Sequence, residues 1–443
     1  MVASVSRRGF LSGLGGVALT GALASCSSPL TAGLAGTDAN AGKLTYWNLF
    51  GGGDGANMLL MEDAFRAAHR GVPVEATTLA WGNPYYTKLS LATAGGKPPD
   101  VAIAHLTRLP LLARAGIVSD VMKAGVGAAG ITAESFTPAA WKKATVDGTT
   151  YAIPLDTHPF VMFYNVDMAK KAGLLGADGK LKPIHGKDEF IAAMQAMKKA
   201  TGQWGGVITI NADTATSWRW FATLYYQLGG QVVGNNGTAL LLDDDKAAAA
   251  LEFMGQLTGK LGLMPGSVDQ AGTSSLFASG KAGFLLDGVW QIPTYETAGT
   301  HFSVVPIPAV MSDQPASYAD SHALVIPHNP NRSAADTRNA VQFIRSLLDH
   351  SVTWAKGGHV PAWLPVQRSK AFTSLSPQAN YVQAAYNARY DPDAWYTGAG
   401  SDFQILMGSA VGGVQSGGSN PGSAVKSMRS GLKRYTQTPP PVK

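Results

Sequence analysis

Four aspartates stand near the ends of predicted strands and could carry acid–base chemistry. They are Asp54, Asp156, Asp287 and Asp320 of the 443-residue chain. Two carboxylates roughly 5 to 9 Å apart across a cleft can hydrolyse a glycosidic bond, so the sequence leaves glycoside hydrolysis open. A serine nucleophile lacks support, because G-x-S-x-G does not occur in the sequence. The run Asp320-Ser321-His322 would also point successive side chains to opposite faces of a strand.

Metal and nucleotide chemistry have weaker support. Nine histidines occur without an H-x-x-x-H or H-E-x-x-H spacing, and there is one cysteine, so the sequence predicts no metal site. The run G-G-G-D-G-A at 51–56 fits G-x-G-x-x-A after a strand, and Glu75 lies 19 residues beyond Ala56. A dinucleotide-dependent oxidoreductase is therefore an alternative function for the chain. Asp54 opposes it, because a carboxylate repels pyrophosphate at a helix N-terminus. We expect no cofactor.

The elements that hold these side chains alternate between strand and helix in the first part of the chain. The predicted order is a strand from Lys43, a helix over Asn57 to His69, a strand over Val72 to Leu79, a helix with Pro84 in its first turn, a strand over Val101 to Ala104 and a helix over Leu109 to Ala115. Such alternation predicts parallel βαβ units, whose strands present ligand-binding side chains at their carboxyl ends.

A second α/β region follows a change of pattern between Val146 and Asn165. There Asp147-Gly148 indicates a hairpin, and Pro154 indicates an edge or a crossover. The later predictions are a strand over Phe160 to Tyr164, a helix from Asp188, a strand over Gly205 to Ile210, helices over Trp218 to Leu228, Asp243 to Leu261 and Ser274 to Ser279, strands over Ala282 to Leu286, Phe302 to Pro308 and Tyr318 to Pro327, and helices over Arg332 to Leu348, 402–415 and 421–435. The fold class is α/β throughout.

The amino-terminal 26 residues have the pattern of an export signal. Arg7 and Arg8 precede a short apolar stretch from Gly13 to Leu23, and L-A-S-C closes it at Cys26. This resembles a twin-arginine signal joined to a bacterial lipoprotein box, which implies cleavage before Cys26 and a lipid on its sulfur. We expect a signal peptide at 1–25 and a lipidated flexible tether at 26–42. The protein would then sit on the extracytoplasmic face of the cell membrane. An ordinary signal peptide with a chance cysteine is the alternative.

Charge and hydropathy exclude two further kinds of partner. The net charge is +6, and the basic residues form no stripe, so we expect no nucleic-acid partner. No run of about 18 apolar residues follows the first 25 positions, so no later segment is predicted to span a membrane.

Eight short motifs follow one another in order between residues 43 and 435. They are K-L-T-Y-W, P-P-D-V-A-I-A-H, R-A-G-I-V-S-D-V, D-G-T-T-Y-A-I-P-L-D-T-H-P-F-V-M-F-Y-N-V-D, L-F-A-S-G-K-A-G-F-L-L-D-G-V-W, V-P-I-P, S-H-A-L-V-I-P and G-G-H-V-P-A-W-L-P-V. Together with the lipoprotein box, the set resembles the extracellular solute-binding proteins of ABC importers, family 1, the maltose-type lipoproteins that take carbohydrates.

This resemblance implies a two-lobed α/β periplasmic-binding-protein fold, type II and maltose-binding-like, with three crossings between the lobes. The amino lobe would take 43–156 plus 323–364, the carboxyl lobe 158–318 plus 367–435, and 436–443 would be a disordered tail. A monomer would capture a carbohydrate ligand in the cleft by hinge closure and deliver it to ABC permease subunits, without catalysis.

The same resemblance implies which residues contact the sugar, since a pyranose needs flat aromatic faces and hydrogen-bonding groups. The candidates are Trp47, Asn48, Asp54, Trp81, His105, Arg108, Asp156, His158, Trp220, Asp287, Trp290, Asp320 and His322. Trp290 is the foremost of them, because D-G-V-W matches the strand, turn and tryptophan that stacks on sugar in the family.

Several candidates have a structural alternative. Trp47 could belong to the core, Asp54 could cap a helix, and Asp156 could form a hinge salt bridge. Of the helical pair Trp218 and Trp220, one should be core and the other ligand contact, and we favour Trp220 as the contact. The isolated His359 is expected to be structural. The family often has an aromatic or acidic residue where this chain has Ala104 and Thr107, and an acid where it has Ser217.

Overall fold

The computed structural model describes residues 42–441 of the chain. The predicted signal peptide at 1–25, Cys26 and all of the predicted tether except its last residue lie outside the described residues. Within 42–441, no helix combines the length and the apolar character that crossing a membrane requires.

Sixteen strands occur in this part of the chain. They are β1 Leu44–Asn48, β2 Val74–Thr78, β3 Val101–His105, β4 Thr145–Val146, β5 Thr149–Thr150, β6 Ile153–Pro154, β7 Asp156–Asn165, β8 Trp204–Val207, β9 Val233–Gly234, β10 Ala239–Leu240, β11 Ala282–Gly288, β12 Phe302–Pro306, β13 Ser317–Asp320, β14 His322–Val325, β15 Val360–Pro361 and β16 Ala388–Arg389.

Residues 42–441 also form seventeen α-helices. They are α1 Gly52–Ala68, α2 Asn83–Ala94, α3 Leu109–Arg114, α4 Pro138–Lys143, α5 Val166–Lys171, α6 Gly186–Thr201, α7 Thr214–Gln227, α8 Asp244–Thr258, α9 Gln270–Ala278, α10 Ile292–Thr297, α11 Ala334–Asp349, α12 Ser351–Lys356, α13 Leu364–Gln367, α14 Lys370–Thr373, α15 Val382–Tyr386, α16 Asp402–Gln415 and α17 Pro421–Gln437. Short 3-10 turns cover Leu106–Arg108, Val126–Ala129, Ala133–Ser135, Asn235–Gly237, Val289–Gln291 and Gln378–Tyr381.

The amino lobe is built on a five-stranded sheet in the order β2-β1-β3-β14-β6. The first three strands are parallel, as the βαβ pattern predicts, and β14 and β6 join antiparallel. All five residues of β3 are buried, because helices and loops cover both faces of the sheet. Its core takes side chains from 44–155 and returns to 323–363.

The carboxyl lobe is built on a second sheet in the order β16-β13-β7-β11-β8, with β12 and β15 also paired to β7. β7 is buried along its whole length, and two hydrophobic clusters lie around this sheet. The larger cluster draws on side chains from Phe160 to Tyr318 and from Ala394 to Leu432.

Three chain segments cross between the sheets at one place. The chain passes from β6 into β7 at Leu155, whose N–H donates to His322 O at 2.8 Å and whose carbonyl accepts from Ala362 N at 3.2 Å. It passes from β13 into β14 at Ser321, and β15 lies beside the start of β7. The three crossings therefore touch one another through backbone hydrogen bonds.

Some boundaries differ from the sequence prediction. Helix α1 begins at Gly52, five residues earlier than predicted, so Asp54 lies in a first helical turn, where the helix dipole favours a carboxylate. The single strand predicted over Tyr318 to Pro327 is two strands, since the chain changes sheets at Ser321. Helix α17 continues to Gln437, two residues into the predicted tail. Its cap is as predicted, with Asn420 Oδ1 accepting from Ser423 N at 2.9 Å.

Gly205 in β8 has no room for a side chain. A Cβ built there would lie 2.2 Å from the backbone oxygen of Met194 in α6, and no side-chain rotation relieves that contact. We expect Gly205→Ala to lower the free energy of unfolding by about 1 to 3 kcal/mol, as overpacking does. Denaturant unfolding measures this. Gly71→Ala is the control, because a Cβ there meets no atom within 4 Å. Equal losses in both variants would contradict the prediction.

Candidate functional site

A row of four aromatic side chains runs from the amino lobe, past the crossings, to the carboxyl lobe. Its members are Trp81, His105, His158 and Trp290. Successive ring centroids are 6.2, 5.8 and 5.8 Å apart, and each pair meets edge to face. Trp81 follows β2, His105 ends β3, His158 lies in β7 and Trp290 follows β11. The ends of three strands and one crossing therefore place these predicted contacts next to one another.

The carboxyl-lobe end of the row combines a ring face, a cation and a carboxylate. The Arg219 guanidinium lies 4.8 Å from the centroid of the half-buried Trp290 ring. Asp287 is buried, and its Oδ1 accepts from Gly288 N at 2.7 Å. The Gln270 side chain lies close enough to lower the pKa of this carboxyl group, but Oδ2 makes no well-aligned hydrogen bond within the described range. Burial raises the pKa of Asp287 to about 7. The sequence interpretation did not select Arg219, because its stacking partner lies 71 positions away.

The amino-lobe end of the row is more open. Trp81 is 44% exposed, and a Cβ on Gly400 would lie 3.2 Å from its ring, so the segment that precedes α16 packs against it. Arg108 is buried, stacks on Tyr86 at 4.8 Å and donates to Asn83 Oδ1. The predicted contact Arg108 is thus held by its own lobe.

Asp320 lies at the second crossing and is almost fully hydrogen-bonded. Its carboxylate accepts from Ser321 N at 2.8 Å, from Thr107 N at 3.3 Å and from the Thr107 hydroxyl. Burial raises the pKa of Asp320 to about 7. The Ser321 hydroxyl in turn lies 3.1 Å from Tyr390 OH. Asp320 therefore ties the end of β13 to the loop after β3.

Beneath the row, three histidines surround the buried Asp156. Its carboxylate lies 2.9 Å from His158 Nδ1 and 2.8 Å from His322 Nδ1, and it accepts from Trp354 Nε1 at 2.5 Å. His359 Nδ1 lies 3.2 Å from the same carboxylate. Burial alone would raise the pKa of Asp156, but the neighbouring histidines hold it well below its usual range. Asp156 is therefore ionised. We call this carboxylate, together with the three histidines and Trp354, the hub.

The pKa values of His105, His158 and His359 shift in different directions with their surroundings. Burial and the neighbouring His322 lower the pKa of His158 to about 3, and burial lowers that of His105 well below its usual value. For His359 burial opposes the charge, but Asp54 and Asp156 raise its pKa to about 10. His359 Nε2 lies 3.1 Å from Asp54 Oδ1. The sequence did not link His359 to Asp54, because 305 positions separate them.

Three predicted contacts lie elsewhere. Asn48 Oδ1 accepts from Phe50 N and Thr78 Oγ1, at 3.2 and 3.0 Å, and so fastens the end of β1. Trp47 packs against the amino-lobe core with Lys88 Nζ at 5.5 Å from its ring. Trp220 is buried in the carboxyl-lobe core beside Phe190, as Trp218 is beside Phe403. Both tryptophans of α7 are thus core, because the whole inner side of that helix is covered.

Two cavities of about 550 and 600 Å³ lie away from the row. The first is lined by Phe136, Trp141 and Arg368 among others, and the second by Glu62 and Asn48. Around the row, by contrast, the lobes are in contact: a Cβ on Gly53 would lie 2.7 Å from Pro293 Cβ, across the two lobes. The arrangement is therefore a closed one.

Two α/β lobes that share three adjacent crossings, with polar and aromatic side chains between them, define the type II, maltose-binding-like periplasmic-binding-protein fold. Residues 61–377 match the bacterial extracellular solute-binding protein family, and the protein belongs to that family because the match covers well over half of the chain.

Known proteins resemble the chain along most of its length. A maltooligosaccharide ABC transporter solute-binding lipoprotein of Streptococcus pneumoniae (strain ATCC BAA-255 / R6) is 26% identical over 286 residues, 62% of each chain. The chain thus spans about 62% of the length of that curated relative. The GacH receptor of Streptomyces glaucescens gives a TM-score of 0.74 at 18% identity, covering 89% of this chain and 98% of its own. The cyclic alpha-maltosyl-1,6-maltose binding protein of Arthrobacter globiformis gives 0.72 at 20%, covering 89% and 99%.

The pKa of Asp287 sets a pH dependence of stability. Its folded pKa of about 7 lies above the ordinary 3.8, so the native state binds the proton more tightly than the unfolded chain. The free energy of unfolding should fall as the pH rises from about 4 to about 7, by roughly 3 to 4 kcal/mol from this group. Asp287→Asn removes this loss. We therefore expect the variant to exceed the wild type at pH 8 and to equal it near pH 4, in urea unfolding without ligand.

The control for this prediction is Asp313→Asn, because Asp313 is exposed to solvent. Its difference from the wild type should stay within about 0.5 kcal/mol at both pH values, as is usual for surface substitutions. A wild-type stability that rises between pH 4 and 7 more steeply than that of Asp287→Asn would contradict the assignment.

Proposed function

We propose that this protein is the substrate-binding subunit of an ABC importer, which captures a sugar or oligosaccharide between its lobes. The observation that carries the proposal is the row from Trp81 to Trp290, because it spans both lobes and lies beside the Arg219 guanidinium and the Asp287 carboxyl group. The Streptococcus relative named for maltooligosaccharide supports a carbohydrate ligand, as does the Arthrobacter protein named for a cyclic maltose derivative.

Sugar recognition follows from the chemistry of the row. The apolar C–H face of a pyranose stacks on a flat ring. Trp290 is half-buried, with Arg219 over its ring and the Gly288 backbone against it, so a sugar would contact the part of the ring that stays exposed. A sugar hydroxyl can donate to Asp287 Oδ2, which makes no well-aligned hydrogen bond within the described residues. Burying such a pair strengthens it, because few water molecules compete in a closed cleft. Trp290, Asp287 and Arg219 together form the carboxyl-lobe half of the proposed site.

The surroundings of the carboxylates favour ligand capture over catalysis. Hydrolysis needs one carboxyl group to move a proton and a second to act on the sugar. Asp156 and Asp320 are both engaged by donors of the chain itself, and Asp54 lies 3.1 Å from His359 Nε2. The dinucleotide alternative is also disfavoured, since Asp54 brings a carboxylate into the first turn of α1, where the pyrophosphate would lie.

Attachment and delivery complete the proposal. A lipid on Cys26 would hold the protein as a monomer on the extracytoplasmic face of the cell membrane, where it offers the closed, loaded form to permease subunits. Labelling with a radioactive fatty acid should mark the wild type and not Cys26→Ala. Label that persists in Cys26→Ala would remove the lipid anchor from the proposal.

The direct test of the site is Trp290→Ala. The full-length chain in detergent is titrated with mono-, di- and oligosaccharides and polyols by thermal shift, and the best ligand by calorimetry. We expect this variant to weaken binding at least tenfold, because stacking and the orientation of Arg219 are lost together. The matched control is Trp204→Ala, since Trp204 is also half-buried and has Lys198 Nζ at 6.0 Å.

Affinity of Trp204→Ala should stay within about twofold of the wild type. Unchanged affinity in Trp290→Ala would assign this tryptophan to a structural role. Turnover of an aryl glycoside by the wild type, lost in Asp287→Asn, would replace capture by hydrolysis.

A further inference from the structure

Four side chains at the crossings converge on one point below the ring row. Asp156, His158, His322 and His359 each bring one nitrogen or oxygen atom to a site where these atoms lie within 4.8 Å of one another. All four are buried, with exposures of 0, 6, 6 and 0%. They come from the start of β7, the start of β14 and the turn before β15, so every crossing contributes.

This set has the composition of a closed zinc site. Three imidazoles and one carboxylate are ligands that Zn²⁺ takes in tetrahedral coordination, and no fifth ligand is needed. The Nδ1 atoms of the three histidines lie 2.9, 2.8 and 3.2 Å from the carboxylate oxygens of Asp156. Ligands about 2.0 Å from Zn²⁺ at tetrahedral angles are about 3.3 Å apart. The four candidate atoms lie within 4.8 Å of one another, so they must draw closer together to hold the ion.

His359 supplies a second, independent observation. Its Nδ1 atom is fully buried and lies 3.2 Å from the Asp156 carboxylate, but it makes no well-aligned hydrogen bond in the described part of the chain. A buried ring nitrogen without a well-aligned hydrogen bond is costly unless something binds it. Its other nitrogen lies 3.1 Å from Asp54 Oδ1, which reproduces the carboxylate–histidine–metal arrangement of metal sites.

Charge balance agrees with a divalent cation. Asp54 and Asp156 bring two carboxylates to opposite nitrogens of the same imidazole. Neutral histidines coordinate metal, so Zn²⁺ would offset both negative charges at once. The Trp354 indole donates to Asp156 from behind and fixes the orientation of that carboxylate.

A neighbouring set is less complete. His105, His158 and Asp320 also lie within ligand distance of one another, but they offer three ligands and share His158 with the first set. Asp320 already accepts from Ser321 and Thr107. The four-residue set has both the full ligand count and the nitrogen that lacks a well-aligned hydrogen bond.

We propose that Asp156, His158, His322 and His359 bind one Zn²⁺ ion, which ties the three lobe crossings together. The spacing rules of the sequence predicted no metal, because the ligands come from three distant segments. The ion has a structural role, since four protein ligands leave no position for substrate or water. It would hold the crossings rigid while the lobes move around them.

The test uses the tag-free, full-length chain in detergent, stripped with a chelator and dialysed. Addition of ZnCl₂ should load one ion per chain, measured by mass spectrometry of the metal, and raise Tm by several degrees. CoCl₂ should give the intense visible bands of tetrahedral Co²⁺. His359→Gln and His322→Gln should each lower zinc affinity at least tenfold, because each removes one ligand. His301→Gln is the control, since His301 pairs with Asp167 on the surface.

The control variant should load zinc as the wild type does. Should a ligand variant fail to fold, the cobalt spectrum of the wild type decides alone, because octahedral Co²⁺ gives only weak bands. Less than 0.1 ion per chain with no change in Tm would show that the cluster is held by hydrogen bonds only, and would overturn the proposal. Full loading of both ligand variants would also overturn it. Sugar titrations play no part in these outcomes, so failure here leaves the proposed function untouched.

Discussion

The rest of the structure depends on one buried anion, the carboxylate of Asp156. A charge removed from water is costly unless donors surround it, and here the donors come from distant parts of the chain. His158 follows it in β7, His322 begins β14, and Trp354 belongs to α12 of the amino lobe. Satisfying this carboxylate therefore requires the crossings to meet, and their meeting fixes where each sheet begins.

This constraint also positions the cleft. His158 belongs both to the hub and to the ring row, where it lies 5.8 Å from His105 and from Trp290. The contact surfaces of both lobes are thus positioned relative to one strand, β7. Glycines then let the lobes approach closely: a Cβ on Gly53 would lie 2.7 Å from Pro293 Cβ, and one on Gly400 would lie 2.9 Å from Gly82 Cα. The lobes can close only if the crossings between them are held in place and no side chain at the cleft edge clashes.

The sequence could predict features that depend on neighbouring residues, but not those that depend on residues far apart in the chain. The βαβ order, the Asn420 cap and the placement of Trp81 and Trp290 after strands depend on neighbours in sequence, and the structure has them as described. Whether Asn48 and Trp220 are buried depends on the elements that pack against them. The residues of α7 alone do not show that α16 covers this helix. The sequence indicated a structural role for His359 but not its partners. An isolated histidine carries no spacing signal, and its partners are reached only when the crossings form.

Imidazole suits the position of His359 because it is compact and can contact a partner through either of its two nitrogens. Each ring has two nitrogens on opposite sides, so one residue can join two partners. His359 does this between Asp54 in α1 and Asp156 in β7, and it stacks on Trp354 at 4.4 Å. The first helix of the amino lobe is thereby connected to the strand that begins the carboxyl lobe. Because α1 also carries Gly53 to the cleft edge, a disturbance at the hub reaches the surface where the lobes close. The proposed binding cleft and the buried cluster are, for that reason, connected through α1 and β7.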